Sequence, residues 1–134
     1  MIRVLDASAI INSNAYKDDC ECVTVQEAID EIKDFKSRLM VDMAMNLKRL
    51  RVFMASKESL KLAEDKAREV GSGKQLSNTD KALMALALDQ KKRDAETILI
   101  TDDFTLQNLA AHLGVKFEGV TRGEIRQKRT FKKQ

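Results

Sequence analysis

The 134-residue chain contains no proline, only five glycines and few aromatic side chains, which make up 4% of its composition. Average proteins contain about 5% proline. Because this chain has no proline and little glycine, it is not expected to form long irregular loops. No apolar run approaches the ~18 residues that a membrane-spanning helix needs, so we expect no membrane partner. A composition that is 43% hydrophobic and 34% charged also excludes a disordered chain, and its length suits one domain.

Cysteine and histidine, the usual protein ligands of zinc, are also scarce. Cys20 and Cys22 form a single C-x-C pair, and His112 is far from them in the sequence. Without a second cysteine pair or a histidine cluster, we expect no zinc in this chain. One intervening residue disfavours a disulfide, so both thiols are predicted to be free. Free thiols and a start, MIRVLDASAII, that does not resemble a secretory signal predict a cytoplasmic protein.

The net charge of +3 conceals an uneven distribution along the chain. Residues 1–121 contain 18 basic and 20 acidic side chains, whereas residues 122–134 contain six basic and one acidic. We therefore divide the chain into a slightly acidic domain, 1–121, and a basic C-terminal tail or linker, 122–134. Basic segments of this kind often contact nucleic acid, although a solvated terminus has the same composition.

Short apolar runs alternate with helical patterns along the first 121 residues. The predicted strands are IRVLD (2–6), LRVFMA (50–55), TILIT (97–101) and VKFEGV (115–120). The predicted helices cover 24–35, the stripe Leu39, Met40, Met43, Leu47, then 56–70, a segment opening at 77, and the stripe Leu106, Leu109, Ala110, Leu113. Capping boxes at Thr24–Glu27 and Ser77–Asp80 begin two of these helices, Ser56 is a candidate cap of a third, and Gly114 ends the last. The alternation predicts an α/β domain with three layers, in which helices cover both faces of a short parallel sheet.

Four acidic residues stand where the chain enters or leaves this predicted sheet. Asp6 and Asp102 each follow a strand, Glu31 lies on the first helix, and Asp80 lies in the first turn of the most apolar helix. Ligands of parallel α/β sheets bind beyond the carboxyl ends of the strands. Clustered carboxylates are unfavourable without a cation, and oxygen ligands alone favour Mg²⁺ or Mn²⁺. Two such ions about 3.5–4 Å apart could activate water and stabilise the leaving oxygen of a phosphodiester.

Each of these residues also has a purely structural interpretation. Asp80 completes a capping box, and Asp102 is a candidate cap for the helix after it, with Asp103 favourable to that helix dipole. Asp6 is harder to explain in this way, because an acid that closes a buried strand needs a partner. Phe104, beside the acids, either meets a nucleobase or packs under its loop. The residues alone leave these alternatives open.

Four segments resemble PIN-domain nucleases in their order and spacing, namely VLDASAII, TVQEAIDEIKD, LSNTDKALMALAL and ILITDDFTLQNLAAHLGV. The chain is most similar to the Nob-family endonucleases of archaea and eukaryotes, and T-D-D with Q-N downstream is the most specific of the shared features. The resemblance covers nearly the whole chain. It implies a PIN-like fold and a metal-dependent endoribonuclease that matures the 3′ end of the small-subunit (16S-type) ribosomal RNA precursor, in a pre-ribosomal particle.

The resemblance also implies a set of site residues. Carried over by position, the catalytic and metal-binding acids are Asp6, Glu31, Asp80 and Asp102, which would hold one or two Mg²⁺ or Mn²⁺ ions. The auxiliary residues are Ser8, Thr101, Asp103 and Asn108. Ser8 and Thr101 would orient nearby acids by hydrogen bonds, and Asn108 would brace the loop. The candidate RNA contacts are the basic residues Lys48, Arg49, Arg51, Arg122, Arg126, Lys128 and Arg129, of which the first three also suit a solvated helix face.

One feature departs from the family pattern. Members usually carry a zinc ribbon with paired cysteines after the PIN domain, and this sequence contains no such pairs. Either the ribbon lies beyond the sequence or the chain is a stand-alone relative. Two other functions stay open: a VapC-type toxin ribonuclease with a protein antitoxin, which the T-D-D-F-x-x-Q-N segment disfavours, and a non-cleaving RNA-binding or ribosome-assembly scaffold, which the four acids disfavour. The oligomeric state is also open, with a homodimer among the alternatives.

Overall fold

The computed structural model describes residues 1–71 and 75–120, and within these ranges the chain forms five strands and six α-helices. The strands are β1 (Ile2–Leu5), β2 (Glu21–Thr24), β3 (Leu50–Val52), β4 (Thr97–Ile100) and β5 (Lys116–Glu118). The helices are α1 (Ala7–Ile10), α2 (Gln26–Asp30), α3 (Phe35–Asn46), α4 (Lys57–Glu69), α5 (Asn78–Arg93) and α6 (Phe104–His112). None of the helices in these ranges is long and apolar enough to cross a membrane. The predicted basic tail, 122–134, lies outside the described residues.

All five strands are parallel, and their order across the sheet is β3-β2-β1-β4-β5. Since crossovers between parallel strands are right-handed, the helices after β1 and β2 lie on one face and those after β3 and β4 on the other. Accordingly, α3 packs beside β3, whereas α5 contacts both β1 and β4, and α6 contacts β5. This arrangement confirms the predicted α/β class, with a parallel sheet covered by helices.

The core lies around the central strands β1 and β4. Val4, Leu5, Leu99 and Ile100 are fully buried, because strands of a parallel sheet are covered on both faces. Against them α5 places a continuous buried run over residues 82–87. Burial of each large aliphatic side chain contributes about 1.5–3 kcal/mol. The carboxyl ends of β1 and β4 and the start of α5 are therefore held in a fixed relation.

Several helix boundaries follow the capping signals of the sequence. The Ser77 hydroxyl accepts a hydrogen bond from the Asp80 backbone N–H at 3.1 Å, and the Asp80 carboxylate accepts one from the Ser77 N–H at 3.2 Å. The predicted capping box is thus confirmed, as is the cap of α4 by Ser56. Gly114, predicted to end α6, has a φ of +72° just after its C-cap residue, a backbone conformation that residues with a Cβ rarely adopt.

The segment around Thr24 differs from its prediction. A helix with a Thr24–Glu27 capping box was expected, but residues Glu21–Thr24 form β2 and α2 begins only at Gln26. The Thr24 hydroxyl is fully buried and donates to the carbonyl oxygen of Leu5 at 2.7 Å. Val25 occupies the N-cap position without a side-chain hydrogen bond. The prediction is wrong because pairing with β1, a contact from far away in the sequence, outweighs a local capping preference.

Helix α3 confirms the helix predicted from the apolar stripe, and it exposes much of that stripe. Leu39, Met43 and Leu47 are 46%, 61% and 65% exposed, and only Val41 of this helix is buried. The periodicity identifies an amphipathic helix, but it does not say whether the sheet covers the apolar side. In the part of the chain that the structure describes, this stripe is the largest run of exposed apolar side chains on one helix.

A carboxylate from α5 organises the start of α4. Asp89 accepts hydrogen bonds from the Ser56 hydroxyl at 2.8 Å, the Ser56 backbone N–H at 2.7 Å and the Ser59 hydroxyl at 2.5 Å. Burial raises the pKa of Asp89, but the hydrogen bonds from Ser59 and Ser56 outweigh it and hold that pKa below its ordinary value. The ionised carboxylate therefore ties α4 to α5.

We expect Asp89→Ala to lower the free energy of unfolding by about 1–3 kcal/mol at neutral pH, the usual cost of leaving buried polar groups without a partner. Because the folded state lowers the pKa of Asp89, its contribution is present above the ordinary value of about 3.9 and is lost as the pH falls through the folded-state value. Urea unfolding of the wild type and the variant at neutral and acidic pH measures both effects.

The matched control for this experiment is Asp65→Ala. Asp65 pairs with Lys61 and Arg68 on the exposed side of α4, so its loss should cost less than about 1 kcal/mol. This role of Asp89 would be contradicted if the loss of unfolding free energy in Asp89→Ala did not shrink at acidic pH. It would also be contradicted if Asp65→Ala lost as much.

Candidate active site

The carboxyl edge of the sheet brings together the acids that follow β1 and β4. Leu5 pairs with Ile100, and the backbone N–H of Asp6 donates to the Ile100 carbonyl oxygen at 3.2 Å. Asp6 therefore leaves the sheet directly beside the segment that carries Asp102 and Asp103. Residues separated by almost the whole chain become neighbours because the two strands are parallel and in register.

Asp80 and Glu31 approach the same edge from helices. Asp80 lies in the first turn of α5, and Glu31 ends α2, which contacts α5. Burial raises the pKa of Asp80, hydrogen bonds with Ser77 oppose this effect, and the negative charges of Asp103 and Glu31 raise the pKa further. Acids from three different elements thus act on one another across this edge.

Asp6 and Asp80 are each held through one carboxylate oxygen. Oδ1 of Asp6 accepts hydrogen bonds from the Ser8 hydroxyl at 2.9 Å and from the Ala9 backbone N–H at 2.8 Å. Oδ2 of Asp80 accepts from the Ser77 backbone N–H at 3.2 Å. Among the described residues, the second oxygen of each carboxylate accepts no hydrogen bond, so it is available to a ligand.

The adjacent acids Asp102 and Asp103 have different partners. Asp103 is the N-cap of α6, and its Oδ1 accepts from two backbone N–H groups of the first turn at 2.8 and 3.2 Å. Oδ1 of Asp102 accepts instead from the backbone N–H of Val120 at 2.8 Å, in the segment after β5. The charge of Asp103 is among the causes that raise the pKa of Asp80. The structure therefore makes Asp103, rather than Asp102, the cap of α6.

The loop between β4 and α6 is braced by Thr101 and Gln107. The buried Thr101 hydroxyl accepts a hydrogen bond from the Asp103 backbone N–H at 3.1 Å, and Gln107 Nε2 donates to the Thr101 carbonyl oxygen at 2.7 Å. Asn108 was expected to brace this loop, but its side chain is exposed on α6. Gln107 makes this contact instead, because the rotation of the helix turns its side chain toward the loop. The Q-N pair in the sequence identified the right place, but the bracing residue is the glutamine and not the asparagine.

The basic residues Lys48, Arg49 and Arg51 lie away from these acids. Lys48 and Arg49 precede β3, and Arg51 pairs with Glu21, the first residue of β2, at 3.5 Å. The guanidinium of Arg49 lies 5.3 Å from the centre of the Tyr16 ring. The group therefore sits toward the amino end of the sheet, and its contact with RNA stays a prediction. The other predicted RNA contacts, Arg122, Arg126, Lys128 and Arg129, lie outside the described residues.

The donor set at the carboxyl edge suits a hard divalent cation. Its ligand atoms are carboxylate oxygens, which Mg²⁺ and Mn²⁺ prefer. Burial is the largest cause of the raised pKa of Asp80, and the negative charges of Asp103 and Glu31 add to it. A cation would offset those charges. Within residues 1–71 and 75–120, no three Asp, Glu, His or Cys side chains are close enough to hold an ion as they stand. The acids are thus oriented near one another without forming a closed cage.

We expect Asp103→Asn to lower the pKa of Asp80, because it removes one of the charges that raise it. An acid with a raised folded-state pKa destabilises the folded state as the pH rises through that value. In metal-free buffer at neutral pH, the variant should therefore be at least as stable as the wild type, since asparagine retains an oxygen that can cap α6. Carboxyl-carbon NMR titration measures the pKa, and thermal unfolding measures the stability.

Asp102→Asn is the matched control for this titration, because it removes the same charge one residue earlier. It should change the pKa of Asp80 less than Asp103→Asn does. Equal shifts in the two variants would contradict the distinction between these neighbouring acids.

Comparison with known proteins gives the family. Residues 3–89 match the family model described as the PIN domain of ribonuclease. The chain is similar to Endoribonuclease Nob1 of Archaeoglobus fulgidus, with 38% identity over 125 residues that cover 92% of this chain and 71% of that protein. It is also similar to Ribonuclease VapC3 of Aeropyrum pernix, with 35% identity over 112 residues, 84% of this chain and 81% of that protein.

A solved structure shares the fold. VapBC2 from Rickettsia felis, bound to a DNA fragment from their promoter, matches 89% of this chain and 98% of its own chain with a TM-score of 0.57. At 14% sequence identity this likeness concerns the fold alone. The family model and the relatives together confirm the resemblance seen in the sequence. The chain therefore belongs to the PIN-domain family, and it is an endoribonuclease.

Proposed function

We propose that this PIN-domain ribonuclease uses a divalent metal ion to mature the 3′ end of the small-subunit ribosomal RNA precursor, in a cytoplasmic pre-ribosomal particle. The observation that carries the reaction is the set of oriented carboxylates at the carboxyl edge, each with an oxygen available to a ligand. The similarity to the Nob1 endoribonucleases supports the choice of substrate, as does the T-D-D-F-x-x-Q-N segment.

The ion would be held by Asp6, Glu31 and Asp80 together with the Asp102–Asp103 pair. Within that pair, Oδ1 of each residue accepts hydrogen bonds from the backbone, so among the described residues Oδ2 of each is the oxygen available to an ion. When bound, Mg²⁺ or Mn²⁺ supplies an activated water and a positive charge for the leaving oxygen of the phosphodiester. One or two ions are compatible with this number of carboxylates.

The other residues of the site keep these carboxylates in place. Ser8 and the Ala9 N–H fix Asp6, and Ser77 fixes Asp80. Thr101 and Gln107 hold the loop that presents Asp103. Because Asp6, Asp80 and Asp103 are oriented before a ligand arrives, little rearrangement of these three acids is needed on binding, which is how preorganised sites gain rate.

Binding of RNA to a slightly acidic domain requires local neutralisation of charge. A divalent ion at the acids would reverse the field at the point where the phosphodiester must approach. Further phosphate contacts are assigned to the basic tail, through Arg122, Arg126, Lys128 and Arg129. Such contacts weaken as salt is raised, since binding to phosphates releases counterions.

A VapC-type toxin ribonuclease is the second candidate. It is favoured by the similarity to Ribonuclease VapC3, of whose length this chain covers 81%. The chemistry and the acids would be the same in both functions, and only the RNA target and a protein antitoxin would differ. The position of the cut therefore separates the two candidates.

We expect Asp6→Asn to lower the cleavage rate by at least about 100-fold, because a positioned acid–base or ligand group contributes on the order of 10²–10⁴. The substrate is a small-subunit precursor RNA that spans the mature 3′ end, incubated with Mn²⁺ or Mg²⁺, and the products are mapped. Asp42→Asn, which alters an exposed acid of α3, is the control and should cleave at the wild-type rate.

The outcomes are distinct. Cleavage by Asp6→Asn at the wild-type rate would show that the site is wrongly assigned. Wild-type cleavage at the mature 3′ end supports the ribosomal function. Cleavage of other RNAs, with the precursor junction intact, supports the toxin-type function instead.

A further inference from the structure

Phe104 is almost fully exposed at the first position of α6. Its side chain is 85% exposed, and among the large apolar side chains of the described residues only Met54 is more so, at 94%. The structure thus decides between the two sequence interpretations of this residue: the ring does not pack under its loop. Of the other described phenylalanines, Phe53 and Phe117 pack against the core.

Nothing in the local structure requires a phenylalanine here. The first position of a helix favours proline or small polar and acidic residues, and phenylalanine is only an average helix former. A single exposed apolar residue is ordinary on a protein surface. The place of this ring, rather than its exposure alone, is what needs an explanation.

The ring lies at the edge that carries the acids. Phe104 follows Asp103, whose charge acts on Asp80, and α6 begins where β4 ends. Side chains of a helix tilt toward its N-terminus, so the ring is directed toward the carboxyl edge of the sheet. The loop below it is held by Gln107 and Thr101, which gives the ring a stable position.

We propose that Phe104 is a stacking platform for one unpaired nucleobase next to the phosphodiester that is cut. This inference rests on the proposed function and adds to it a residue that positions the RNA strand at the site. Every base has an apolar face that can stack on an aromatic ring, whereas bases within a duplex are already stacked on their neighbours. The ring would position the strand without taking part in the chemistry.

The surroundings favour a nucleobase over an apolar protein surface. Two exposed carboxylates, Asp102 and Asp103, immediately precede the ring. A large apolar partner would have to remove water from both charges, which is costly. A single base covers the ring alone, and its phosphate then falls beside the acids, where the reaction needs it.

The test is a binding cycle in the Asp6→Asn background, where cleavage does not interfere. Phe104→Ala should weaken binding of a short single-stranded oligoribonucleotide by about 5- to 150-fold, the fold-change that corresponds to one base–aromatic stack. Phe104→Tyr should bind within about twofold of the parent, because it retains the ring. In a series of RNAs that each lack one base, only the RNA without the stacking base should bind the parent more weakly than the intact RNA does. That same RNA should bind Phe104→Ala almost as tightly as the intact RNA does, because the stack is already lost.

Phe35→Ala is the matched control. Phe35 is 79% exposed at the start of α3. This helix packs beside β3, which is separated from β4 by two other strands. This variant should bind RNA like the parent. The inference is overturned if Phe104→Ala binds the intact RNA normally, if Phe35→Ala loses as much, or if base removal costs the same with and without the ring.

Failure of the inference and failure of the proposed function are separable. The binding cycle needs no cleavage, so it reports on stacking even if the wild-type chain does not cut the precursor. Conversely, normal cleavage kinetics in a Phe104→Ala chain with Asp6 intact would overturn the stacking role and leave the proposed function standing. A rise in KM with little change in kcat, reversed by Phe104→Tyr, is the expected result, because the ring contributes to binding.

Discussion

The parallel pairing of β1 with β4 is the constraint on which the rest of the site depends. It places Leu5 opposite Ile100, so that the chain leaves both strands at the same edge and brings Asp6 beside the Asp102–Asp103 segment. α5 packs on both strands and adds Asp80. Because the two strands are buried on both faces, this geometry is held by the core.

The same residues serve as helix caps and as candidate ligands. Asp6 and Asp103 are N-caps, and Asp80 completes a capping box. A cap uses one carboxylate oxygen and fixes the direction of the other, so hydrogen bonds to the backbone orient the group before any ion binds. Burial and the neighbouring charges raise the pKa of Asp80, and a bound divalent cation would offset those charges.

Local signals in the sequence predicted local structure well. The Ser77–Asp80 capping box, the Ser56 cap and the end of α6 at Gly114 each depend on neighbours within a few residues, and each was confirmed. The failures involve distant contacts. Thr24 turned out to end a strand because its hydroxyl reaches Leu5. The helix predicted at α3 was confirmed, but only the structure shows that its apolar stripe faces solvent, because a periodic pattern does not record which side a sheet covers.

By itself, the sequence determined the α/β class, the positions of the strand-end acids and the family to which the chain belongs, because these depend on residue type and spacing. Only the tertiary structure decided which of two adjacent aspartates caps α6, and that Gln107 rather than Asn108 holds the loop. It also decided that Lys48 and Arg49 lie toward the opposite end of the sheet from the acids. Those features depend on strand direction, register and the rotation of each helix, and these follow from packing between residues far apart in the chain.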